Sequence, residues 1–233
     1  MFSCKPGDDL VGKFAKIIES ELETEEDFSG SALVLNIKEE PDLILAAYHD
    51  PAQKNGVLAF FRDLTGSYEI AEAVLANAAR NDIRPSLAFA LCWAESRYNP
   101  QAINRNRNNS VDRGLFQLNS ESFPNLKVEE FYNPGISARY GLSHLRWCLD
   151  SMGTEVAALA MYNAGYSRVR SDGTPQNTLN YISQILKRQL QIEALFNEYF
   201  IAKYIPNIEA EIVEAAEESR KPFRLSLLTP LGR

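Results

Sequence analysis

The chain has 233 residues, 45% of them apolar and 24% charged, with a formal net charge of −7 at pH 7. That length can bury one large core, with or without appendages, and the composition excludes the disordered, collagenous and disulfide-scaffold classes. An acidic balance without a basic tract argues against nucleic acid as a partner, and no apolar run reaches bilayer-spanning length. A neutral or zwitterionic polymer such as a glycan fits this charge without strain.

Three cysteines (Cys4, Cys92, Cys148) cannot all pair within one chain. Cys92 and Cys148 fall in apolar helical stretches and are expected as buried thiols. With two distant histidines there is no cluster at ligand spacing, so no metal and no cofactor is expected. The start, Met1-Phe2-Ser3-Cys4, shows neither the basic nor the apolar region of a secretory signal. Cys4 after a small residue resembles a lipoprotein processing site. A lipid anchor there is one expectation, and a leftover thiol near a terminus is the other.

In chain order, Leu10, Val11, Phe14, Ile17 and Ile18 mark an amphipathic helix over 8–23. The run 32–37 reads as helix or short strand. Pro41 and Pro51 suit first helical turns, with Asp50 as a cap, and predict short helices over 41–49 and 51–64. Ser67 starts a helix to Arg80, and Pro85 opens another to Tyr98 that Pro100 forbids from continuing. An Asn- and Arg-rich stretch, 101–112, reads as a loop without periodicity, followed by a short segment at 115–120. Ser137 is the predicted cap of a helix to Leu149, and 154–164 forms the next, closed by Gly165. Thr178 to Glu198 is helical, and Asn207 caps a final acidic helix carrying Ile208, Ile212 and Ala216. Strand signals are nearly absent after residue 40, so the expected fold is all-α.

The helix over 85–98 is apolar almost all the way round, as in the centre of a bundle. Glu95 lies four residues after Leu91 and eight after Leu87, so it continues the buried stripe. It also sits in the last turn, where the helix dipole disfavours a second negative charge. Desolvation and dipole both raise the pKa of such a carboxyl, which is what a general acid in glycoside cleavage requires. The structural alternative is a glutamate that reaches solvent or pairs with Arg97 or another arginine nearby.

The residues that follow carry a family resemblance. Ala94-Glu95-Ser96, Asn99-Pro100, Gly114-Leu115-Phe116-Gln117, Ala160-Met161-Tyr162-Asn163-Ala164-Gly165 and Pro175 through Thr178 to Tyr181 stand in that order. Together they resemble the catalytic (SLT) domain of lytic transglycosylases, over residues 67–190, about half of the chain. Phe116 replaces the family's usual Met, and Asn177 stands where many members have Glu. The resemblance implies a lysozyme-like helical catalytic domain at 67–190, a helical N-terminal extension at 1–66, and C-terminal helices and tail at 191–233.

It further implies cleavage of the β-1,4 bond between N-acetylmuramic acid and N-acetylglucosamine in peptidoglycan strands, in the periplasm or cell envelope. Glu95 would protonate the leaving oxygen, then take the proton of the muramoyl C6 hydroxyl as a 1,6-anhydro ring closes. The substrate's N-acetyl group would steady the anomeric charge. Ser96, Phe116, Gln117, Tyr162, Asn163 and Tyr181 would bind or brace the substrate. Without that context Tyr162 and Tyr181 read as core tyrosines and Gln117 as a surface residue. Trp93 and Trp147 sit in core-like stripes and are expected to pack. Asp112 is the nearest candidate for the second carboxylate of an ordinary glycosidase, although a solvated loop residue is the plainer reading. The rival functions are a muramidase that uses water, a glycan-binding protein without catalysis, and a cytoplasmic helical scaffold.

Overall fold

The computed structural model describes residues 42–171 and 174–219, with side chains to residue 203. The expected helix over 8–23, the segment 32–37, Pro41, Cys4 and the tail after Lys221 lie outside the described residues.

Two short helices open the described chain, α1 (Leu43–His49) and α2 (Lys54–Thr65). Asp42 caps α1, its carboxylate accepting from the Leu45 amide at 2.8 Å. Asp50 does not cap α2 as expected. It ends α1 and accepts from Ala52 N at 2.9 Å, so Pro51–Gln53 form a turn and α2 starts at Lys54. Ser67 caps α3 (Tyr68–Arg80) as its position predicts.

Helix α4 (Pro85–Ser96) has proline at N1, and every residue from Pro85 to Cys92 is buried. It ends two residues before the predicted limit because Arg97 and Tyr98 both adopt left-handed backbone, φ 56° and 62°. The Arg97 amide and guanidinium each donate to the Trp93 carbonyl at 2.9 Å, which closes the helix without a glycine.

The polar stretch read as a loop contains strands. Ile103–Arg105 (β1), Val111–Arg113 (β2) and Leu118–Asn119 (β3) form an antiparallel sheet in that order, with Asn104 opposite Asp112 and Asp112 opposite Asn119. A 3-10 turn, Val128–Tyr132, leads to α5 (Pro134–Met152). Its cap is Asn133, whose side chain accepts from Ile136 N at 3.0 Å. The Ser137 hydroxyl, expected in that role, instead receives the Phe116 amide at 3.3 Å. Thr154 caps α6 (Glu155–Ala164), and Gly165 follows at φ 84°. After α7 (Tyr166–Ser171), α8 runs from Gln176 to Ser219 as one helix, so Thr178 is not its start and Asn207 begins no separate element. A proline such as Pro206 removes one hydrogen bond but need not end a long helix whose flanking turns keep theirs.

Helix α4 is central, packed chiefly on α8, while α5 lies between α3 and α6. The Phe61 ring stacks on Phe89 at 4.0 Å, and Phe60 meets Phe196 edge-on at 5.2 Å, so α2, α4 and α8 share one core. Gly141 on α5 lets Phe116 in: a Cβ there would lie 2.4 Å from the phenylalanine side chain. Cys92 and Cys148 are buried free thiols. No helix among the described residues is long and apolar enough to cross a membrane.

Candidate active site

Burial of α4 leaves its last turn facing the sheet on one side and α8 on the other. Glu95 is there, partly buried, and the Tyr181 hydroxyl of α8 donates to its Oε1. Loss of water pushes the Glu95 pKa from 4.5 up to about 7; the Tyr181 hydrogen bond opposes this, and the negative charge of Asp112 adds to it. The carboxyl therefore holds a proton near neutral pH. The structure thus provides the desolvation that helical periodicity foretells, and it pairs Glu95 with a tyrosine, not with Arg97.

Arg97 folds back over the indole of Trp93, 3.4 Å from the ring centroid, with Arg188 5.0 Å from the same ring. Trp93 is half-buried and packs against the core as expected, with these cations over its ring.

Tyr162, from α6, donates its hydroxyl to the Phe116 carbonyl at 3.1 Å. Burial, with the charge of Glu95 added, raises the pKa of both Tyr162 and Tyr181 well above 10. Both phenols therefore remain hydrogen-bond donors wherever Glu95 titrates. Asn163 accepts from the buried Thr178 hydroxyl at 2.8 Å, tying the end of α6 to the start of α8 and so positioning Tyr162 and Tyr181 together.

Three expected substrate contacts are placed otherwise. Phe116 is fully buried against Gly141, so its ring walls the core and only its carbonyl serves the site. Ser96 is buried and donates to the Cys92 carbonyl at 3.1 Å, within its own helix. The Gln117 amide donates to the carbonyls of Gly114 and Ala102, at 2.9 and 3.2 Å, holding a backbone at φ 45°. These residues brace the turn beside Glu95.

Asp112 stands in a strand, β2, where the sequence reads as a loop. It is no solvated loop aspartate: Oδ2 accepts from the amides of Asn104 and Asn106 at 3.2 and 2.9 Å, and Oδ1 from Asn119 at 2.7 Å. The sheet thus holds a fixed carboxylate within electrostatic reach of Glu95. The signal in the sequence was the recurrence of Asn104, Asn106, Asn108, Ser110 and Asp112 at every second position, a polar alternation that apolar periodicity overlooks.

Two substitutions read this arrangement with opposite signs. Tyr181→Phe removes a hydrogen bond that favours the ionised form, so the Glu95 pKa rises further. Asp112→Asn removes a repelling charge, so it falls. In a pH profile of kcat/KM the alkaline limb should move up for the first variant and down for the second. Shifts in the same direction would contradict the assignment.

A separate concavity of about 270 Å³ lies between α1 and α8, lined by Leu43, Ala47, Asp50 and Phe196 among others. Its carboxylate, Asp50, is already bound to the Ala52 amide, and nothing there resembles the Glu95 constellation.

The family described as transglycosylase SLT domain matches residues 72–185, which include Glu95, Asp112, Gln117, Tyr162, Asn163 and Tyr181. Invasion protein IagB of Salmonella typhimurium is 37% identical over 97 residues, 39% of this chain and 61% of that protein. Protein IpgF of Shigella flexneri is 31% identical over 121 residues, 49% of this chain and 77% of its own length. X polypeptide of Escherichia coli is 31% identical over 111 residues, 45% and 64% of the two chains. The chain thus spans about three fifths of IagB.

Proposed function

The chain belongs to the transglycosylase SLT-domain family, whose fold is all-α and lysozyme-like, and from that premise we propose that it is a peptidoglycan lytic transglycosylase with Glu95 as acid and then base. The observation that carries the reading is a partly buried carboxyl at the end of an apolar helix that accepts from the Tyr181 hydroxyl, its pKa raised to about 7 by loss of water. A pKa near the working pH suits a group that must both give and take a proton. Glu95 protonates the glycosidic oxygen between N-acetylmuramic acid and N-acetylglucosamine as the anomeric bond breaks. The muramoyl C6 hydroxyl then attacks the anomeric carbon and returns its proton to Glu95, leaving a 1,6-anhydro ring and an unchanged enzyme. Tyr181 steadies the Glu95 carboxyl through its hydrogen bond, and Tyr162, tied to the Phe116 carbonyl, sets its ring beside the reacting sugar. Gln117, Asn163, Ser96 and Phe116 keep the surrounding turns in place.

The catalytic unit is residues 67–190, and Phe60 and Phe61 from α2 with Phe196 farther along α8 complete its core. Its substrate places the protein in the periplasm or cell envelope. Purified sacculi incubated with the protein should lose turbidity and release soluble muropeptides. Failure to release any, at every pH tried, would end the reading.

Asp112 favours a second reading, hydrolysis. An amide-held aspartate near a high-pKa glutamate is the carboxylate pair that water-using glycosidases employ. In the transglycosylase reading the same charge steadies the positive anomeric carbon and keeps Glu95 protonated. Both readings therefore expect Asp112→Asn to slow cleavage, by about 10-fold or more. They differ in the product.

A further inference from the structure

Helix α5 presents aromatic rings on an outward face. Tyr140, His144 and Trp147 stand at i, i+4 and i+7, and so line one side of the helix. Trp147, expected to pack in the core, is 52% exposed, and Tyr140 is 36% exposed. The rings touch in series. Phe123 meets Tyr140 edge-on at 5.8 Å and His144 at 6.1 Å; His144 stacks on Trp147 at 5.5 Å and leans on Tyr162 at 5.0 Å. The core of α5 is filled by Leu142, Leu145 and Cys148, so packing does not require an indole at 147.

We propose that this ring series is an outer glycan-binding platform, on which Trp147 and Tyr140 carry sugar rings of a peptidoglycan strand that leads away from Glu95 past Tyr162. The proposal rests on the glycan-cleaving reading and extends it to the length of strand the protein grips. Four features select a sugar. The platform is continuous with the candidate site through Tyr162, whose hydroxyl is bonded to the Phe116 turn. One side of the Trp147 ring is already seated on imidazole while half the residue stays open, the arrangement of a stacking surface for the C–H face of a pyranose. The exposed carboxylate of Asp150 stands one turn beyond Trp147, held by Arg146 at 2.5 Å, and suits hydroxyls at a sugar's edge. Tyr140 and Trp147 are about 10 Å apart along the helix axis, close to the repeat of a β-1,4-linked disaccharide. Burial also lowers the His144 pKa, so the stack is uncharged at neutral pH.

The test measures binding apart from cleavage. In the Glu95→Gln background, co-sedimentation with purified sacculi is compared for Trp147→Ala, Trp147→Phe and Glu69→Ala, and each protein is titrated with a muropeptide of two disaccharides. Trp147→Ala should bind sacculi about three- to tenfold more weakly, with a smaller loss on the short fragment, and Trp147→Phe should recover most of the binding. Glu69→Ala, exposed in the first turn of α3 and away from the platform, should bind like its parent. Equal losses on long and short ligands, or no loss on sacculi, would overturn the platform. A protein that binds sacculi through Trp147 yet cleaves nothing with Glu95 intact would leave the platform standing and end the catalytic reading instead.

Discussion

Glu95→Gln should lower the rate of muropeptide release from sacculi by at least about 10²-fold, the ordinary worth of a positioned general acid. Glutamine keeps the shape and can still meet the Tyr181 hydroxyl, but it has no proton to give. The same variant should be more stable than the parent above pH 7. The Glu95 pKa rises from 4.5 in water to about 7 in the fold, so the folded protein holds this proton more tightly than the unfolded chain. Stability from this group is complete below pH 4.5 and lost as pH rises to 7, a loss of about 3 kcal/mol at roughly 1.4 kcal/mol per pKa unit. Glutamine removes that loss, so the melting temperatures of the two proteins should separate between pH 5 and pH 8. A variant that lost activity by unfolding would show the reverse. A purely structural Glu95 would leave muropeptide release intact.

Gly114→Ala should cost about 3 kcal/mol of stability and lower the melting temperature by on the order of 10 °C. Gly114 sits at φ 76°, where an L side chain is strained by about 1–2 kcal/mol. A Cβ there would also lie 1.9 Å from the Phe131 carbonyl oxygen and 3.0 Å from Ser137 Oγ. Neither neighbour yields easily, because one is backbone and the other receives the Phe116 amide. The turn that follows carries the Phe116 carbonyl to which Tyr162 bonds, so activity should fall with stability. Differential scanning calorimetry and sacculus turbidity read both, and an alanine variant that melts like the parent would refute this account of the turn.

Much of the helical frame was legible because its signals are local. Ser67, Pro85, Thr154 and Gly165 mark ends through backbone groups within a few residues of themselves. Asn133 was missed because Ser137 is an equally good cap by type, and only the distant Phe116 amide shows where that hydroxyl is used. The sheet was missed because β1 is exposed throughout, and a strand with no buried face writes no apolar alternation. Trp147 was misread because helical spacing tells which residues share a face, not whether anything covers it. Glu95 was legible since an apolar helix announces its own burial. Its partners Tyr181 and Asp112 come from α8 and β2, and residues alone could not bring those together without the family motifs.

The central claim, that Glu95 delivers the cut to the sugar's own hydroxyl, is tested most directly by digesting purified sacculi in ¹⁸O-water and weighing the muropeptides. Internal transfer predicts 1,6-anhydro products that contain no ¹⁸O from the solvent. Reducing-end products carrying one solvent oxygen would contradict it, and would make Asp112 and water the partners of Glu95.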